Sequence, residues 1–372
     1  MPRPAVKPRV LFVSKPIVPP FHDGTKCLVR DLAQSMTEVR PAVMGELAGV
    51  DSLPVYSTPG RFTPSFTQNA RAALYLFTRA RAALWHFVFA PNPMTSQVGA
   101  LARALRQVPV VQTVASPPLS FEGAERWLFG DVVVAQSRDT ARQLLAAAVR
   151  SPDGSKRAPR VEVIPPCVTP PSRAREEVVQ ALRRQLKIAS AAPIFLYPGD
   201  VETSSAALTI ATATAELTRR LPGAVVVFAC RAKTPAAGPL LDALRRRLEG
   251  LPVRFAGELP SILPLLQTSR AVLFPVDDLR GKVDLPIVLL EAMHLGVPVI
   301  AAEGGPLDDL EHTLRVPPKD AGALVAACAQ LEESPERRQE LICGATAAVS
   351  TRHLPAQVAA RYEALYAELL AR

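Results

Sequence analysis

The residues best suited to chemistry lie in one stretch of the chain, positions 284–306. Glu291 is the one formally charged side chain between Pro286 and Gly296, and a diglycine, Gly304-Gly305, closes the stretch. Burying a lone carboxylate is costly, so Glu291 is expected to have a partner or a ligand. Alone, the carboxylate is also compatible with a solvated helix face, and the diglycine with an ordinary turn.

A helix and two strands are predicted to position these residues. Pro286 suits the first helical position and Gly296 the helix stop. Apolar runs before and after this helix predict buried strands, Ala271–Phe274 and Val297–Ala302. Together they form a βαβ unit, and ligands of such sheets bind beyond the carboxyl ends of the strands. The loops 276–286 and 303–306 both lie at that edge.

Strands alternate with helices along the rest of the chain, which favours doubly wound parallel sheets. The proline-rich segment 165–171 cannot form a helix or a central strand and therefore marks a boundary. The chain length of 372 residues also predicts two domains. Strands are predicted at 9–14, 84–89, 108–114, 131–135 and 161–164 before that boundary, and at 194–197, 224–229, 253–256, 271–274 and 297–302 after it.

Composition narrows the class of protein. The five cysteines are scattered without a CxxC pair, so neither a zinc site nor a disulfide framework is indicated, and a reducing, cytoplasmic location is expected. No signal peptide or transmembrane run is visible. Residues 1–190 hold 25 Lys and Arg against 13 Asp and Glu, while residues 191–372 hold 18 against 21. This asymmetry indicates an anionic partner of the first half, or solvated arginine-rich faces.

Several further segments occur in a fixed order: Pro19-Pro-Phe-His-Asp-Gly24, Gly130-Asp-Val-Val-Val-Ala-Gln-Ser137, Val163-Ile-Pro-Pro-Cys-Val168, Leu196-Tyr-Pro-Gly-Asp200 and Val253-Arg-Phe-Ala-Gly257. With the 284–306 stretch, they resemble the retaining GT-B glycosyltransferases of family 4 over nearly the whole chain. The resemblance implies an α/β fold of two Rossmann-like doubly wound parallel-sheet domains facing a central cleft. It implies an acceptor-side domain at 1–170, a nucleotide-sugar domain at 171–352, and a last helix, 353–372, that crosses back to the first domain.

The resemblance also implies a donor site. Glu291 would bind the ribose hydroxyls, and the helix start and the diglycine would face the diphosphate. Gly24 would close over the donor from the first domain. The positions expected to bind the donor are Gly24, Gly199, Arg231, Lys233, Lys282, Asp284, Leu285, Pro286, Ile287, Glu291, Gly304 and Gly305.

Three departures from the family pattern concern a glutamate, a pair of cations and a histidine. The family has a sugar-contacting glutamate eight residues before Glu291, where this chain has Val283. Asp284 and Lys282 are the alternative substitutes. The family's phosphate-clamping Arg and Lys are replaced by Asp200 and Ser204.

Other cations are therefore expected at the leaving diphosphate, because charge develops there in the transition state. Arg231, Lys233, Arg280 and Lys282 are the candidates, with solvated side chains as the alternative for each.

Proton transfer near Gly24 would fall to Asp23 or His22. The family's first-domain histidine is missing from Val111-Gln-Thr-Val-Ala-Ser116, and His86 or His22 is a candidate replacement or a hydrogen-bonded structural histidine. The residues expected to act in catalysis are Asp23, His22, Lys282 and Arg231.

The sequence thus predicts a metal-independent retaining glycosyltransferase that uses a nucleoside-diphosphate sugar and a hydroxyl acceptor, with no further cofactor. A basic first half would suit an anionic or lipid-linked acceptor, or peripheral contact with an anionic membrane. The missing Glu, Arg and Lys leave a second hypothesis, a catalytically silent GT-B protein that binds a nucleotide, a sugar or a partner. Nucleic-acid binding is not expected, because aromatic residues are sparse and no reading motif is present.

Overall fold

The computed structural model describes residues 6–19, 21, 23–53, 66–149, 160–232 and 234–372. They form two compact units, each built on one parallel sheet. The first unit comprises Met1–Thr169, Arg280–Pro286 and Arg352–Arg372, and the second comprises Pro170–Leu279 and Ile287–Thr351. The predicted α/β fold with two doubly wound parallel sheets is confirmed.

The first unit has a seven-stranded sheet in the order β3-β2-β1-β4-β5-β6-β7. Its strands are β1 (Arg9–Ile17), β2 (Arg40–Gly45), β3 (Asp51–Leu53), β4 (Leu84–Phe89), β5 (Val110–Val114), β6 (Val132–Ala135) and β7 (Val161–Val163). Its helices are α1 (Gly24–Ser35), α2 (Phe66–Thr78), α3 (Pro93–Arg106), α4 (Arg138–Val149) and α12 (Pro355–Leu370).

Both faces of this sheet are covered, as the alternation along β1 requires. Val10 and Phe12 point into a core shared with α1 and α12, whereas Leu11 and Val13 point into a second core that includes Trp85. Because successive side chains of a strand face opposite sides, a strand buried on both sides is apolar at every position. The unbroken apolar run at the start of β1 follows from this.

A buried polar network joins the last helix to the sheet. His86 has no exposed surface. Its Nδ1 shares a hydrogen bond with the Tyr366 hydroxyl (2.6 Å), and its Nε2 shares one with Thr113 Oγ1 (2.7 Å). Thr113 Oγ1 also pairs with the Tyr362 hydroxyl (3.0 Å). Burial lowers the pKa of His86 to about 3. His86 is therefore a neutral structural histidine within β4, and not a polar group at a strand end.

The second unit has a six-stranded sheet in the order β10-β9-β8-β11-β12-β13. Its strands are β8 (Ile194–Tyr197), β9 (Val225–Phe228), β10 (Val253–Phe255), β11 (Ala271–Phe274), β12 (Val299–Ala302) and β13 (Leu314–Val316). Its helices are α5 (Glu176–Gln185), α6 (Ala206–Arg220), α7 (Ala237–Arg247), α8 (Leu263–Gln267), α9 (Ile287–His294), α10 (Ala321–Glu333) and α11 (Pro335–Arg352).

The predicted strands all occur, and their ends differ from the prediction by at most three residues. The strands β2, β3 and β13 and the helices α2, α6, α7 and α8 were not predicted. The strand β3 has only three residues, and β2 begins with Arg40-Pro41, which leaves an apolar run of only three residues, Ala42–Met44. Local composition carries little signal for such strands. Within the described residues, no helix is long and apolar enough to cross a membrane.

Candidate functional site

The loop Arg280–Pro286 leaves β11 but belongs to the first unit. Asp284 anchors it there. Its carboxylate has no exposed surface and accepts hydrogen bonds from Ser137 Oγ (2.8 Å) and Thr140 Oγ1 (2.9 Å), at the start of α4. A helix start is a favourable place for a carboxylate. Asp284 therefore holds the loop in this structure, and its buried carboxylate is not presented to a sugar as the sequence had suggested.

The rest of this loop is fixed by backbone contacts. The Gly281 amide donates to the Pro117 carbonyl (2.9 Å), and the φ of 73° at Gly281 favours glycine there. Lys282 and Val283 are half-buried beside the anchor, so the anchor sets where they lie. Leu285 is buried and Pro286 half-buried, and the helix begins at Ile287, one residue later than predicted.

At the carboxyl end of β1, Asp23 caps α1, which begins at Gly24. Its carboxylate accepts from the Thr25 and Lys26 amides (2.9 and 3.3 Å) and pairs with Lys15 Nζ (2.7 Å). Burial opposes ionisation of Asp23, but Lys15 and the two amides outweigh it, so the pKa of Asp23 is lowered. An ionised cap with a lowered pKa is a weak proton acceptor and cannot donate a proton near neutral pH.

The predicted proton carrier beside it, His22, lies outside the described residues, as does the predicted phosphate ligand Lys233. Two cations near Gly24 were missed by the sequence reasoning. Lys15 projects from β1, and Lys26 is buried with its Nζ donating to the Val18 carbonyl (3.1 Å). The sequence feature that could have indicated Lys15 is its position near the end of the predicted first strand.

In the second unit, Glu291 lies on the short helix α9. Leu289, Leu290, Ala292 and Met293 are buried, while Ile287, Glu291 and His294 are half-buried. Glu291 and His294 thus share the partly open face, as their spacing predicts. The His294 Nδ1 is buried without a hydrogen-bond partner among the described residues. The start of α9 supplies the backbone amides that an anion would meet.

The diglycine has the backbone that only glycine adopts readily. Gly304 has φ 87° and Gly305 has φ 70°, and a Cβ on either would meet nothing within 4 Å. The conformation therefore requires glycine, while the space beside both residues is open. The Gly304 amide is occupied, since it donates to Asp308 Oδ1 (2.9 Å). Any phosphate contact would fall to other amides of this turn.

The loop after β8 shows what replaces the family's arginine and lysine. Tyr197 donates through its hydroxyl to the Asp200 carbonyl (2.6 Å), and a Cβ at Gly199 would lie 2.2 Å from the tyrosine ring. Asp200 is 3% exposed and accepts from Thr203 Oγ1 (2.7 Å). Gly199 is therefore a packing requirement, and Asp200 shapes its own turn.

Further carboxylates fix neighbouring loops. Asp277, after β11, accepts from the Ser205 amide and hydroxyl (both 2.9 Å) and lies 3.6 Å from Lys319 Nζ. Burial opposes its ionisation, but the Ser205 hydrogen bonds and Lys319 prevail, and the pKa of Asp277 is lowered. Glu202 accepts from the Thr234 amide (3.0 Å), which ties the β8 loop to the β9 loop. This edge is thus held by carboxylates where cations were expected.

Arg231 follows β9 and is half-buried. Within the described part of the chain, it makes no hydrogen bond or ion pair. An arginine left without a protein partner at a sheet edge is available to an anion.

The parallel strands of the second sheet bring the predicted positions to one edge. Gly199, Arg231, Glu291 and Gly304-Gly305 follow β8, β9, β11 and β12 respectively, in a sheet whose strands run in one direction. In the first unit, Asp23 and Gly24 follow β1, and Asp284 meets Ser137 after β6. Ser137 ends one of the segments that resemble the family, but the sequence predicts no partner for it, because its contact with Asp284 spans 147 positions.

Comparison with known proteins bears on the family and the fold. Residues 192–334 match the family model described as Glycosyl transferases group 1. No curated protein matches the sequence significantly.

Among solved structures, HepE of Anabaena in complex with UDP-glucose has 16% identity and a TM-score of 0.73, covering 97% of this chain and 100% of that one. A glycosyltransferase from Rickettsia africae has 15% identity and a TM-score of 0.74, covering 98% and 99%. Sucrose-phosphate synthase from Thermosynechococcus elongatus has 18% identity and a TM-score of 0.73, also covering 98% and 99%.

Residues 192–334, most of which lie in the second unit, therefore match the glycosyl transferases group 1 family, and the chain shares the GT-B fold of these structures. The resemblance seen in the sequence is confirmed for the group 1 family and the GT-B fold.

Proposed function

We propose that this protein is a retaining, metal-independent glycosyltransferase of family 4, which transfers a hexosyl group from a nucleoside-diphosphate sugar to a hydroxyl acceptor. The group 1 family match supports transferase activity, and the match covers the unit that carries Glu291 and the diglycine. HepE, which shares the fold, was solved with UDP-glucose and with UDP and glucose. An anionic or lipid-linked acceptor would suit the positive charge of the first half.

One observation carries the proposal. A half-buried glutamate on a helix, and two glycines with positive φ beside open space, follow neighbouring strands at the carboxyl edge of one parallel sheet. A carboxylate binds a pair of ribose hydroxyls well, and an open glycine turn lets phosphate approach the backbone.

The chemistry follows from the groups at hand. The bond from the anomeric carbon to the diphosphate oxygen breaks, and the acceptor oxygen bonds to the same face of that carbon. The acceptor's proton passes to the departing phosphate oxygen, so no protein base is required. Arg231 and the amides at the start of α9 would stabilise the negative charge on the leaving group.

A thermal-shift screen of the whole protein with nucleoside diphosphates and their sugars tests donor binding. We expect one nucleotide to raise the Tm, and Glu291→Ala to abolish that rise. Glu303→Gln, an exposed carboxylate at the end of β12, is the matched control and should leave the rise intact. Equal stabilisation of the Glu291→Ala protein would refute the assignment of Glu291.

Transfer itself needs separate measurements. The anomeric configuration of the product, followed by NMR, distinguishes retention from inversion. Turnover that persists in a chelator supports metal independence, and turnover restored only by added magnesium or manganese refutes it.

A second function is favoured by a specific observation. The positions of the two clamping cations hold a buried, hydrogen-bonded Asp200 and a serine, and neither can neutralise a diphosphate. A catalytically silent GT-B protein that binds a nucleotide, sugar or partner would tolerate this change. Stabilisation by a nucleotide sugar with neither hydrolysis nor transfer across acceptors would support that function.

A further inference from the structure

Two neighbouring helices of the first unit, α2 and α3, expose apolar side chains to solvent. Of the eleven large hydrophobic side chains that are exposed among the described residues, five lie here. They are Phe66 (84% exposed), Leu74 (62%), Met94 (56%), Leu101 (55%) and Leu105 (65%). Scattered exposed leucines are normal in proteins, but a group of them on adjacent elements marks an interaction surface.

Their spacing makes a continuous stripe on each helix. Phe66 and Leu74 are separated by about two turns of α2, and Met94, Leu101 and Leu105 recur at intervals of seven and four residues on α3. The opposite faces are already used. Leu76 of α2 and Ala102 of α3 are buried in the core beneath the sheet face.

The two helices are fixed in place from below. Gly99 of α3 packs so closely on Phe129 that a Cβ would lie 2.4 Å from its ring. Arg106 at the end of α3 donates to the Phe77 and Ala80 carbonyls (3.3 and 2.9 Å) at the end of α2. The outward apolar stripes are therefore held side by side.

The segment of the chain that contains both helices carries charge of a single sign. Residues 52–121 contain six arginines, no lysine, and no aspartate or glutamate. Arg71, Arg79 and Arg81 are exposed on α2 or just after it. At the carboxyl ends of the two helices, a shallow depression is lined by Arg9, Arg81, Arg106 and Leu105, among others. Arg103 pairs with Asp131, and Arg9 pairs with Asp51. The exposed Arg71, Arg79 and Arg81 place net positive charge beside the apolar side chains.

We propose that the exposed faces of α2 and α3 dock on an anionic membrane surface. Apolar side chains enter the boundary between headgroups and acyl chains, while the arginines meet lipid phosphates. A second copy of this chain would place arginine against arginine, which is repulsive. Nucleic acid would satisfy the arginines but leave the leucines in water. This proposal goes beyond the glycosyl transfer and does not depend on it.

Cosedimentation of the full chain with vesicles tests the docking without any sugar nucleotide. Vesicles of phosphatidylcholine alone are compared with vesicles of phosphatidylcholine and phosphatidylserine, at low and high salt. We expect binding to the anionic vesicles that weakens as salt rises, because salt screens the arginines. Leu101→Gln with Leu105→Gln should reduce it at least about tenfold, because two leucines lose their burial.

Arg79→Gln with Arg81→Gln should reduce anionic binding by about twenty-five-fold, from about 1 kcal/mol, or about fivefold, for each charge. The matched controls lie on the second unit. Leu208→Gln with Leu240→Gln replaces leucines that are 54% and 44% exposed, and Arg184→Gln with Arg246→Gln removes two exposed charges. Both controls should bind as the unaltered protein does.

Three outcomes would overturn the proposal: no binding to anionic vesicles, equal loss in the control variants, or binding that ignores both salt and phosphatidylserine. Light scattering on the same samples tests whether a second copy of the chain occupies this surface. If the Leu101 and Leu105 substitutions convert an oligomer to a monomer and leave vesicle binding unchanged, the surface joins copies of the chain instead. The transfer assay can succeed or fail independently of every one of these results.

Discussion

Asp284 gives the sharpest test of how the predicted donor loop is held. In the first unit, its fully buried carboxylate accepts from the hydroxyls of Ser137 and Thr140, and Ser137 Oγ also accepts from the Thr140 amide (3.1 Å). We expect Asp284→Ala to release the loop Arg280–Pro286 from the start of α4. Asp284→Asn keeps the shape and one acceptor, and should release it less.

The size of the effect follows from these contacts. A hydrogen bond to a charged group contributes about 1.5–3 kcal/mol, and a buried group left unpaired costs about 1–3 kcal/mol. Part of this is offset, because the alanine variant no longer buries a charge. We therefore expect the local free energy of opening to fall by about 2–4 kcal/mol for alanine and about 1 kcal/mol for asparagine.

Hydrogen exchange measured by mass spectrometry reports this local opening directly. Global unfolding is less suitable, since a chain of two units need not unfold in one step. A loss of 2–4 kcal/mol corresponds to exchange that is roughly thirty- to a thousandfold faster in peptides covering Arg280–Pro286 and the start of α4. Peptides from β9 and β10 serve as the internal control and should not change.

A double-mutant cycle separates the contact from general damage. Thr140→Val should matter less in the Asp284→Ala background than in the unaltered chain, with a coupling of about 1–2 kcal/mol. The reasoning fails if Asp284→Ala leaves exchange of this loop within a factor of about three. If the same variant raises only the KM for the donor, Asp284 contacts the sugar, as the sequence had suggested.

Three further predictions concern other parts of the molecule. Burial lowers the pKa of His86 to about 3, so the unfolded chain binds a proton below about pH 6.5 that the folded chain refuses; stability is complete above that pH and falls by up to about 1.4 kcal/mol per unit toward pH 3. Urea midpoints of His86→Gln should fall less between pH 7 and 5 than those of the unaltered protein, and an identical fall would contradict the assignment. Gly199→Ala should lower stability by about 2–3 kcal/mol because its Cβ overlaps the Tyr197 ring, whereas Gly238→Ala on α7, with open space, should change it by less than about 1 kcal/mol; similar urea midpoints for both would exclude the clash. Arg231→Ala should weaken binding of a nucleoside diphosphate about tenfold in calorimetry and leave the nucleoside unaffected, while equal losses for both ligands would show that Arg231 does not face the phosphates.

The sequence predicts most of this fold because buried strands appear in it as unbroken apolar runs. Ile194–Tyr197 and Ala271–Phe274 are unbroken apolar runs, and their predicted bounds match the structure. The strand β2 was not predicted because Arg40 and Pro41 at its start leave an apolar run of only three residues, Ala42–Met44. The helix α2 was not predicted because its exposed positions mix apolar residues, Phe66 and Leu74, with the polar Arg71, which blurs the apolar stripe.

The candidate site divides along similar lines. Glu291, Gly304 and Gly305 could be identified because an isolated carboxylate and a diglycine contrast with their apolar surroundings. The role of Asp284 could not, since its partners are 144 and 147 positions away in the sequence. Asp23 was identified as a polar residue beside Gly24, but only the structure shows that it caps α1 and pairs with Lys15.

The departures from the family pattern separate nucleotide binding from chemistry. Glu291 and the glycine turn recognise features that the free nucleotide and the sugar donor share, so they support binding whether or not transfer follows. The cations of the family act mainly on charge that develops as the diphosphate leaves, and Asp200 and Ser204 cannot supply it. Arg231, without a protein partner among the described residues, is the cation at this sheet edge best placed to replace them. If the protein is a transferase, Arg231→Ala should therefore lower kcat more than it weakens nucleotide binding. If it is a binding protein, the same change should alter affinity alone.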